Sequence, residues 1–217
     1  MKTAQANTLS CVNAVLAFLD THAARITHIA TCGSRQALEA CAVEASRCAT
    51  AQAIGDLDSR ACTLEISRRR EELVQGHMVP IVRIARANSC GAVTNASLRL
   101  PRSRRGLHRL GVHAYAMARS AACHADTFVE AGLPADFIAR LESAADALLE
   151  ASARSARLKA KTAEATHRLR SALTSALQHA AVLDAFMQSA ARDNPELLGG
   201  WNQVKRVKPT SPRSLDR

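Results

Sequence analysis

An all-α fold is predicted by three features of the 217-residue sequence. The chain is 47% hydrophobic but only 3% aromatic, which favours helices packed through Leu, Val, Ile and Ala over a β-sheet. Apolar residues recur at spacings of three and four along most of the chain, as on the buried side of a helix. Neither Gly nor Pro occurs over residues 135–194. We therefore expect a bundle of about five to six helices, a long C-terminal helical segment and a disordered basic tail.

The domain organisation follows from length and composition. A chain of this length suffices for one all-α domain with its own core, so residues 1–207 are expected to form a single helical-bundle domain. The alternative is a subdivision into 1–88 and 106–207 around a loop at 89–105. Residues 208–217 form a basic segment with Pro and Ser, which predicts a disordered tail.

Three helices are predicted in the first third of the chain. The first runs from about residue 5 to the high twenties, either unbroken or interrupted near Asp20. Gly33 provides a stop that is followed by an N-cap, and the second helix is predicted to end near Gly55. The third helix is predicted to begin within residues 56–59.

The stretch QGHMVPIVRIARANSCG, residues 75–91, places a Gly and a Pro four residues apart inside this third helix. Pro80 lacks a backbone donor and clashes with the carbonyl of Gly76, so the pair predicts a kink, or a stop and restart. His77 lies beside the break and could serve as a ligand or base, or as a structural residue that caps exposed carbonyls. The bend explains the pattern without chemistry, so the structural role is favoured.

A long loop and a further helix follow. Residues 88–106 lack periodicity and contain Asn, Ser, Gly and Pro, which predicts the one long loop of the chain. The next helix is predicted from Leu107 to about Ala131. Gly132 is expected to cap its C-terminus, and Pro134 to occupy the first position of the helix that follows.

The segment 135–194 carries two apolar stripes in one heptad register, with a polar centre between them. It is either one long helix with an exposed centre or a helix that turns back near residues 155–165, and the continuous helix is favoured. The first stripe consists of Ile138, Leu141, Ala145 and Leu148. The second stripe consists of Leu169, Leu173, Ala176, Ala180, Leu183 and Met187. The polar seam between them consists of Ser152, Ser155, Lys159 and Thr162.

The net charge of +10 is only weak evidence for a polyanionic partner, because part of it reflects the composition of the sequence. Of the 29 basic residues, 24 are Arg and five are Lys, a bias that a GC-rich genome produces by itself. Two segments are nevertheless densely basic, residues 99–109 in the loop and residues 154–170 in the long segment. Such side chains can neutralise phosphates without reading bases, although both segments lack aromatic residues for stacking. The candidate nucleic-acid-binding residues are Arg99, Arg102, Arg104, Arg105, Arg109, Arg154, Arg157, Lys159, Lys161, Arg168 and Arg170.

No pattern in the sequence predicts a catalytic, metal or cofactor site. The seven cysteines are odd in number and scattered, which fits small buried residues in a reducing compartment better than disulfides or zinc ligands. Glu164 and His167 form the one Glu-x-x-His pair, and a di-metal site in a bundle would need a second. Phosphate-binding loops and nucleophile motifs are missing. We expect no enzymatic activity, no metal and no cofactor.

The expected location is the cytoplasm. No run of 18 or more apolar residues is present, so a membrane span is not predicted. The N-terminal apolar stretch is short, contains Asn13 and ends at Asp20 without a cleavage site, so it does not fit a secretory signal.

Three segments carry a resemblance to other proteins. HMVPIVRIAR (77–86), EAGLPADFIARLESAADAL (130–148) and NPELLGGWNQVKRV (194–207) resemble segments that recur in a group of bacterial all-helical proteins of unknown function. This resemblance covers about a fifth of the chain. It implies helical architecture and a bacterial source, and it implies no mechanism.

Taken together, these features predict a cytoplasmic, non-enzymatic helical-bundle protein that acts by protein–protein binding or scaffolding. Self-association through residues 135–192 is the expected form, because this segment carries the divided heptad stripe. The alternative is nonspecific nucleic-acid binding through the Arg-rich loop and the basic centre of the long helix. No membrane partner is expected.

Overall fold

The structure, a computed structural model, describes residues 3–87, 98–101 and 106–207, and over these residues the chain is helical without any strand. This confirms the all-α prediction. The predicted tail at 208–217 and most of the loop at 89–105 lie outside the described residues. The elements are α1 (Thr3–Thr21), α2 (Thr27–Ala30), α3 (Gly33–Glu71), a π-helical segment (Glu72–Met78), α4 (Val79–Ala87), α5 (Leu107–Ala122), α6 (Ala125–Glu130), α7 (Phe137–Ala190) and α8 (Pro195–Val204).

Two compact units can be distinguished within the chain. The terminal unit comprises Met1–Asp56 and Ala160–Arg217, and the central unit comprises Leu57–Lys159. Each unit has its own hydrophobic core. Helices α3 and α7 are long enough to contribute residues to both.

The core of the terminal unit joins α1, the N-terminal part of α3, the C-terminal part of α7 and α8. Trp201 of α8 is fully buried there and its ring lies 5.7 Å from that of Phe18 in α1. A smaller cluster packs Cys48 of α3 against Leu169 and Leu173 of α7. Val204 of α8 is partly buried against the same core.

Helix α3 is one continuous helix of 39 residues, so the predicted end near Gly55 and the predicted restart at 56–59 are wrong. A glycine inside a helix costs only about 1 kcal/mol relative to alanine, which packing can offset. Gly55 lies where a side chain would not fit, because a Cβ atom placed on it would clash with Oγ1 of the Thr162 side chain on α7. The glycine therefore permits close helix contact rather than ending the helix.

The central unit is built around α4, α5 and the N-terminal part of α7. Its core includes Leu73, Met78, Leu110, Phe128 and Leu141, all almost completely buried. Gly111 of α5 approaches α7 closely, since a Cβ atom there would lie 2.9 Å from the Leu149 side chain. Small residues at such positions let two helix backbones come together.

The interruption predicted at the Gly–Pro pair is a π-helical segment that runs directly into α4, rather than a kink or a stop. The backbone N–H of Val79 donates to the carbonyl of Val74, five residues back. Pro80 follows at once and contributes no donor. A wider turn lets the chain pass a proline without ending the helix.

Two predicted boundaries around α5 and α6 are corrected. The helix predicted from Leu107 to about Ala131 is divided at a turn over residues 123–124 into α5 and α6. Gly132 caps α6 as predicted, with φ of +103° and its N–H 2.9 Å from the carbonyl oxygen of Val129. Pro134 is not the first residue of the next helix, because α7 begins at Phe137 after a further turn.

Helix α7 confirms the continuous alternative for the long segment, with 54 residues and no turn at 155–165. Both apolar stripes are buried for most of their length, while positions 156–168 carry no buried residue. Ser155, predicted in the polar seam, is itself buried at 7% exposure. Of the other residues predicted in this seam, Lys159 is exposed, while Ser152 and Thr162 are half-buried.

Candidate interaction surfaces

The C-terminal third of α7, within the terminal unit, presents a surface without charge. Positions 171 to 190 contain a single histidine, His179, and one charged residue, Asp184, which is partly buried. We call the exposed residues of this stretch the uncharged surface. They are Ser171, Thr174, Leu177, Gln178, Ala181, Val182, Ala185, Phe186, Gln188, Ser189 and Ala190.

Three large apolar side chains are exposed within the uncharged surface. Leu177 and Val182 are each 43% exposed, and Phe186 is 49% exposed. Val182 and Phe186 are four residues apart and therefore neighbours on one side of the helix. At about 1.5 Å per residue the stretch is about 30 Å long, which is long enough to pack against a second helix.

Asp184 binds side chains at the C-terminal end of the chain, in α8 and directly after it. Its carboxylate accepts hydrogen bonds from Trp201 Nε1 at 2.7 Å and from Lys205 Nζ at 2.7 and 2.9 Å. Burial opposes its ionisation, but the hydrogen bonds from Lys205, Trp201 and Gln188 outweigh that effect and hold the pKa of Asp184 below its ordinary value. The one acidic charge of this stretch is thus compensated by Lys205.

The basic candidates that the structure describes in the central unit are exposed, and one of them is ion-paired. Arg154 Nη2 lies 3.4 Å from Glu65 Oε1 on α3. Arg157 and Lys159 have no carboxylate within ion-pair distance among the described residues. Arg99 and Arg109 are also exposed. The candidates Arg102, Arg104 and Arg105 lie outside the described residues.

The basic candidates of the terminal unit divide in the same way. Lys161 and Arg170 are exposed and form no ion pair with the carboxylates that the structure describes. Arg168 is engaged with Glu44 of α3, whose Oε1 lies 3.0 Å from its Nε and 2.5 Å from its Nη2. An arginine held in this way has less of its charge available for a phosphate.

Glu44 receives a second hydrogen bond from a neighbouring thiol. Cys48 Sγ lies 3.3 Å from the same oxygen, Oε1. The hydrogen bonds from Cys48 and Arg168 hold the pKa of Glu44 below its usual value. Burial and the adjacent carboxylate raise the pKa of Cys48, which keeps the thiol protonated and unreactive. The cluster of Glu44, Cys48 and Arg168 joins α3 to α7 and does not activate the thiol as a nucleophile.

His77 is half-buried, and its ring forms no hydrogen bond with any residue that the structure describes. The structure shows no capping contact from this side chain among the residues it describes, and the structural role that the sequence favours beside capping stays a prediction. The ring lines two adjacent hollows of the central unit. These hollows could not be predicted from the sequence, because part of their walls comes from residues 133–147, more than fifty positions further along the chain.

The remaining chemical groups do not converge. Over residues 3–87, 98–101 and 106–207, no three His, Cys, Asp or Glu side chains lie close enough to hold a metal ion. The six cysteines within those ranges are free thiols. No helix in the described part of the chain has the length and apolar character that would let it cross a membrane.

Comparisons with protein-family models, with curated proteins and with solved structures give no match in any of the three cases. The resemblance of three segments to bacterial all-helical proteins stays a prediction from those segments.

Proposed function

We propose that this protein acts without catalysis, by protein–protein binding, and that it associates with a second copy of itself through the uncharged surface of α7. The observation that carries this proposal is the 20-residue stretch of a surface helix on which every exposed residue is uncharged and three are large and apolar. Exposed apolar groups arranged along one element are typical of an interaction site.

The charge of the molecule supports a second copy as the partner. Copies with a net charge of +10 repel one another over most of their surface. In a two-fold symmetric dimer the same patch meets itself, so a charge near the two-fold axis would meet its own copy. An uncharged patch avoids this cost, and Val182 and Phe186 supply apolar area for burial.

The expected complex is a pair of α7 helices packed side by side. One helix face buries less area than the interface of a permanent dimer, so we expect a reversible dimer that forms in the micromolar range. The same proposal places the protein in a bacterial cytoplasm. The odd number and scattered spacing of its cysteines support a reducing compartment, and the bacterial source rests on the resemblance of three segments.

Sedimentation velocity over the micromolar range tests the proposal. A weight-average mass that rises from 23.2 kDa toward twice that value supports it. A mass that stays monomeric throughout the range would contradict it.

A second candidate function is nonspecific binding of nucleic acid. It is favoured by the exposed cations of α7 that no described carboxylate neutralises, which are Arg157, Lys159, Lys161 and Arg170. Side chains of this kind bind phosphates in a salt-dependent manner and without sequence preference. Arg154 and Arg168 are expected to contribute less, because Glu65 and Glu44 pair with them.

Fluorescence anisotropy of a labelled DNA duplex at two salt concentrations tests this candidate. Binding that weakens steeply with salt, and whose salt slope falls by about 0.9 for each free cation changed to Gln, would support it. Substitution of Arg119, an exposed arginine of α5, provides a control with the same change of charge. Absence of binding at low salt would exclude it.

A further inference from the structure

Two adjacent hollows lie in the central unit between the π-helical segment and the start of α7. The inner hollow, of about 240 Å³, has apolar walls from Ile81, Leu133 and Phe137. The outer hollow, of about 460 Å³, is lined by Arg69, Ser143 and several alanines of α7. His77 and Arg140 line both. The inner hollow is mainly apolar, whereas the outer hollow is polar, because Glu72 lines it together with the two arginines. Their volumes are near the lower end of the range of small-molecule sites.

The two arginines have donors that the protein does not use. Arg69 Nε is buried and has no hydrogen-bond partner, while its Nη1 lies 3.4 Å from Glu72 Oε2. Arg140 Nε lies 2.8 Å from Asp136 Oδ1, and no described residue accepts from its terminal nitrogens. Because Arg69 Nε is too buried for a ligand to reach, the donors that a ligand in the outer hollow can use are Arg69 Nη2 and the terminal nitrogens of Arg140.

The π-helical segment, which accommodates Pro80, also forms part of the wall of the inner hollow. Such segments are less stable than α-helix and occur frequently at functional positions. Here the segment includes both Gly76 and His77, which line the inner hollow. A Cβ atom placed on Gly76 would meet no heavy atom within 4 Å, so the backbone at this position borders open space.

We infer that this pair of hollows binds a small organic carboxylate with an apolar body. The carboxylate accepts from Arg69 and Arg140 at the outer hollow, and the apolar body lies against Ile81, Leu133 and Phe137. Arg69 and Arg140 each already have one carboxylate neighbour, Glu72 and Asp136 respectively. The two arginines and their two carboxylate neighbours have no net charge together, so hydrogen bonds from the unused arginine nitrogens hold the ligand, and a second negative charge on it would be repelled by Glu72 and Asp136. The site lies in the central unit and does not depend on self-association through the uncharged surface.

The test uses the full chain and two matched probes, 4-phenylbutyrate and its uncharged amide, 4-phenylbutyramide. Ligand-detected NMR titrations give a dissociation constant for each. We expect the carboxylate to bind at least about tenfold more tightly than the amide, since a hydrogen bond to a charged group is worth at least a factor of ten. Equal affinities, or no binding of the carboxylate at millimolar concentration, would overturn the inference.

Variants locate the binding site. Arg140→Gln and Arg69→Gln should each weaken carboxylate binding by about tenfold and leave amide binding unchanged, whereas Arg119→Gln on α5 should change neither. Gly76→Leu should abolish binding of both probes by filling the inner hollow, and Gly76→Ala should retain it. Arg140 is exposed, so its variant stays informative even if Gly76→Leu unfolds. Equal losses in Arg140→Gln and Arg119→Gln would place the probe elsewhere and contradict the assignment.

Discussion

The indole nitrogen of Trp201 donates a hydrogen bond of 2.7 Å to Oδ1 of Asp184, and so joins α8 to the C-terminal third of α7. Lys205 binds both oxygens of the same carboxylate. Because this contact occupies the one acidic group between positions 171 and 190, it fixes α8 on α7 and removes a free charge from the neighbourhood of the uncharged surface.

Asp184→Asn should destabilise the protein by about 1–2 kcal/mol, the value of hydrogen bonds to a charged group reduced for partial exposure. The amide oxygen can still accept from Trp201, but it cannot pair with Lys205. Urea denaturation followed by the fluorescence of Trp201, the single tryptophan of the chain, measures the loss. Glu150→Gln, an exposed change on the same helix, is the control and should have little effect. An equal loss in both variants would contradict a special role for Asp184.

The stability that Asp184 contributes should depend on pH in the acid range. Its pKa in the folded protein is lowered, so the contribution is fully present above the unfolded pKa of about 3.9. It is lost as the pH falls through the lower folded pKa. The difference in free energy of unfolding between the wild-type protein and Asp184→Asn should therefore shrink below about pH 4. A difference that stays constant down to acid denaturation would count against this.

Gly55→Ala should destabilise the terminal unit although alanine is the better helix former. The new methyl group would meet the stiff, β-branched side chain of Thr162, and overpacking of this kind costs about 1–3 kcal/mol. Gly199→Ala, where a Cβ meets no heavy atom within 4 Å, is the control and should be neutral or stabilising. Adding Thr162→Ala to Gly55→Ala should recover most of the loss, as measured by thermal unfolding. No recovery in the double variant would show that the contact is not the cause.

Salt should affect the two candidate functions in opposite directions. Raising the salt concentration screens repulsion between copies that each carry +10, so self-association through an uncharged surface should strengthen. Binding to DNA through Arg157, Lys159, Lys161 and Arg170 should weaken. Sedimentation velocity and DNA anisotropy in the same buffers measure both. Self-association that weakens with salt would indicate an interface held by charge and would contradict the use of the uncharged surface.

Much of the fold could be predicted because it depends on local periodicity. Two heptad stripes in one register predicted the continuous helix α7, and Gly76 with Pro80 predicted where a helix would be interrupted. The continuity of α3 could not be predicted, since Gly55 breaks helices by propensity but here serves a close contact with Thr162 that only the folded chain brings together.

The candidate surfaces were predictable to different degrees. The exposed cations of α7 were named correctly as exposed groups, but the pairing of Arg168 with Glu44 joins positions more than a hundred residues apart and has no sequence signal. Val182 and Phe186 each lie next to a buried residue in the sequence, so their exposure became visible only once the buried side of α7 was known. The scarcity of charged residues between positions 171 and 190 can be read from the sequence and is the signal by which this surface could have been predicted.

The most direct test of self-association is sedimentation velocity of Phe186→Asp beside the wild-type protein at matched micromolar concentrations. The aspartate would place two like charges opposite one another across a symmetric interface, so the variant should remain monomeric while the wild-type protein dimerises. Leu64→Asp, a change at a 73% exposed leucine of α3 in the central unit, should dimerise like the wild-type protein. A dimer that persists in Phe186→Asp, or a wild-type protein that is monomeric throughout, would contradict the role assigned to the uncharged surface.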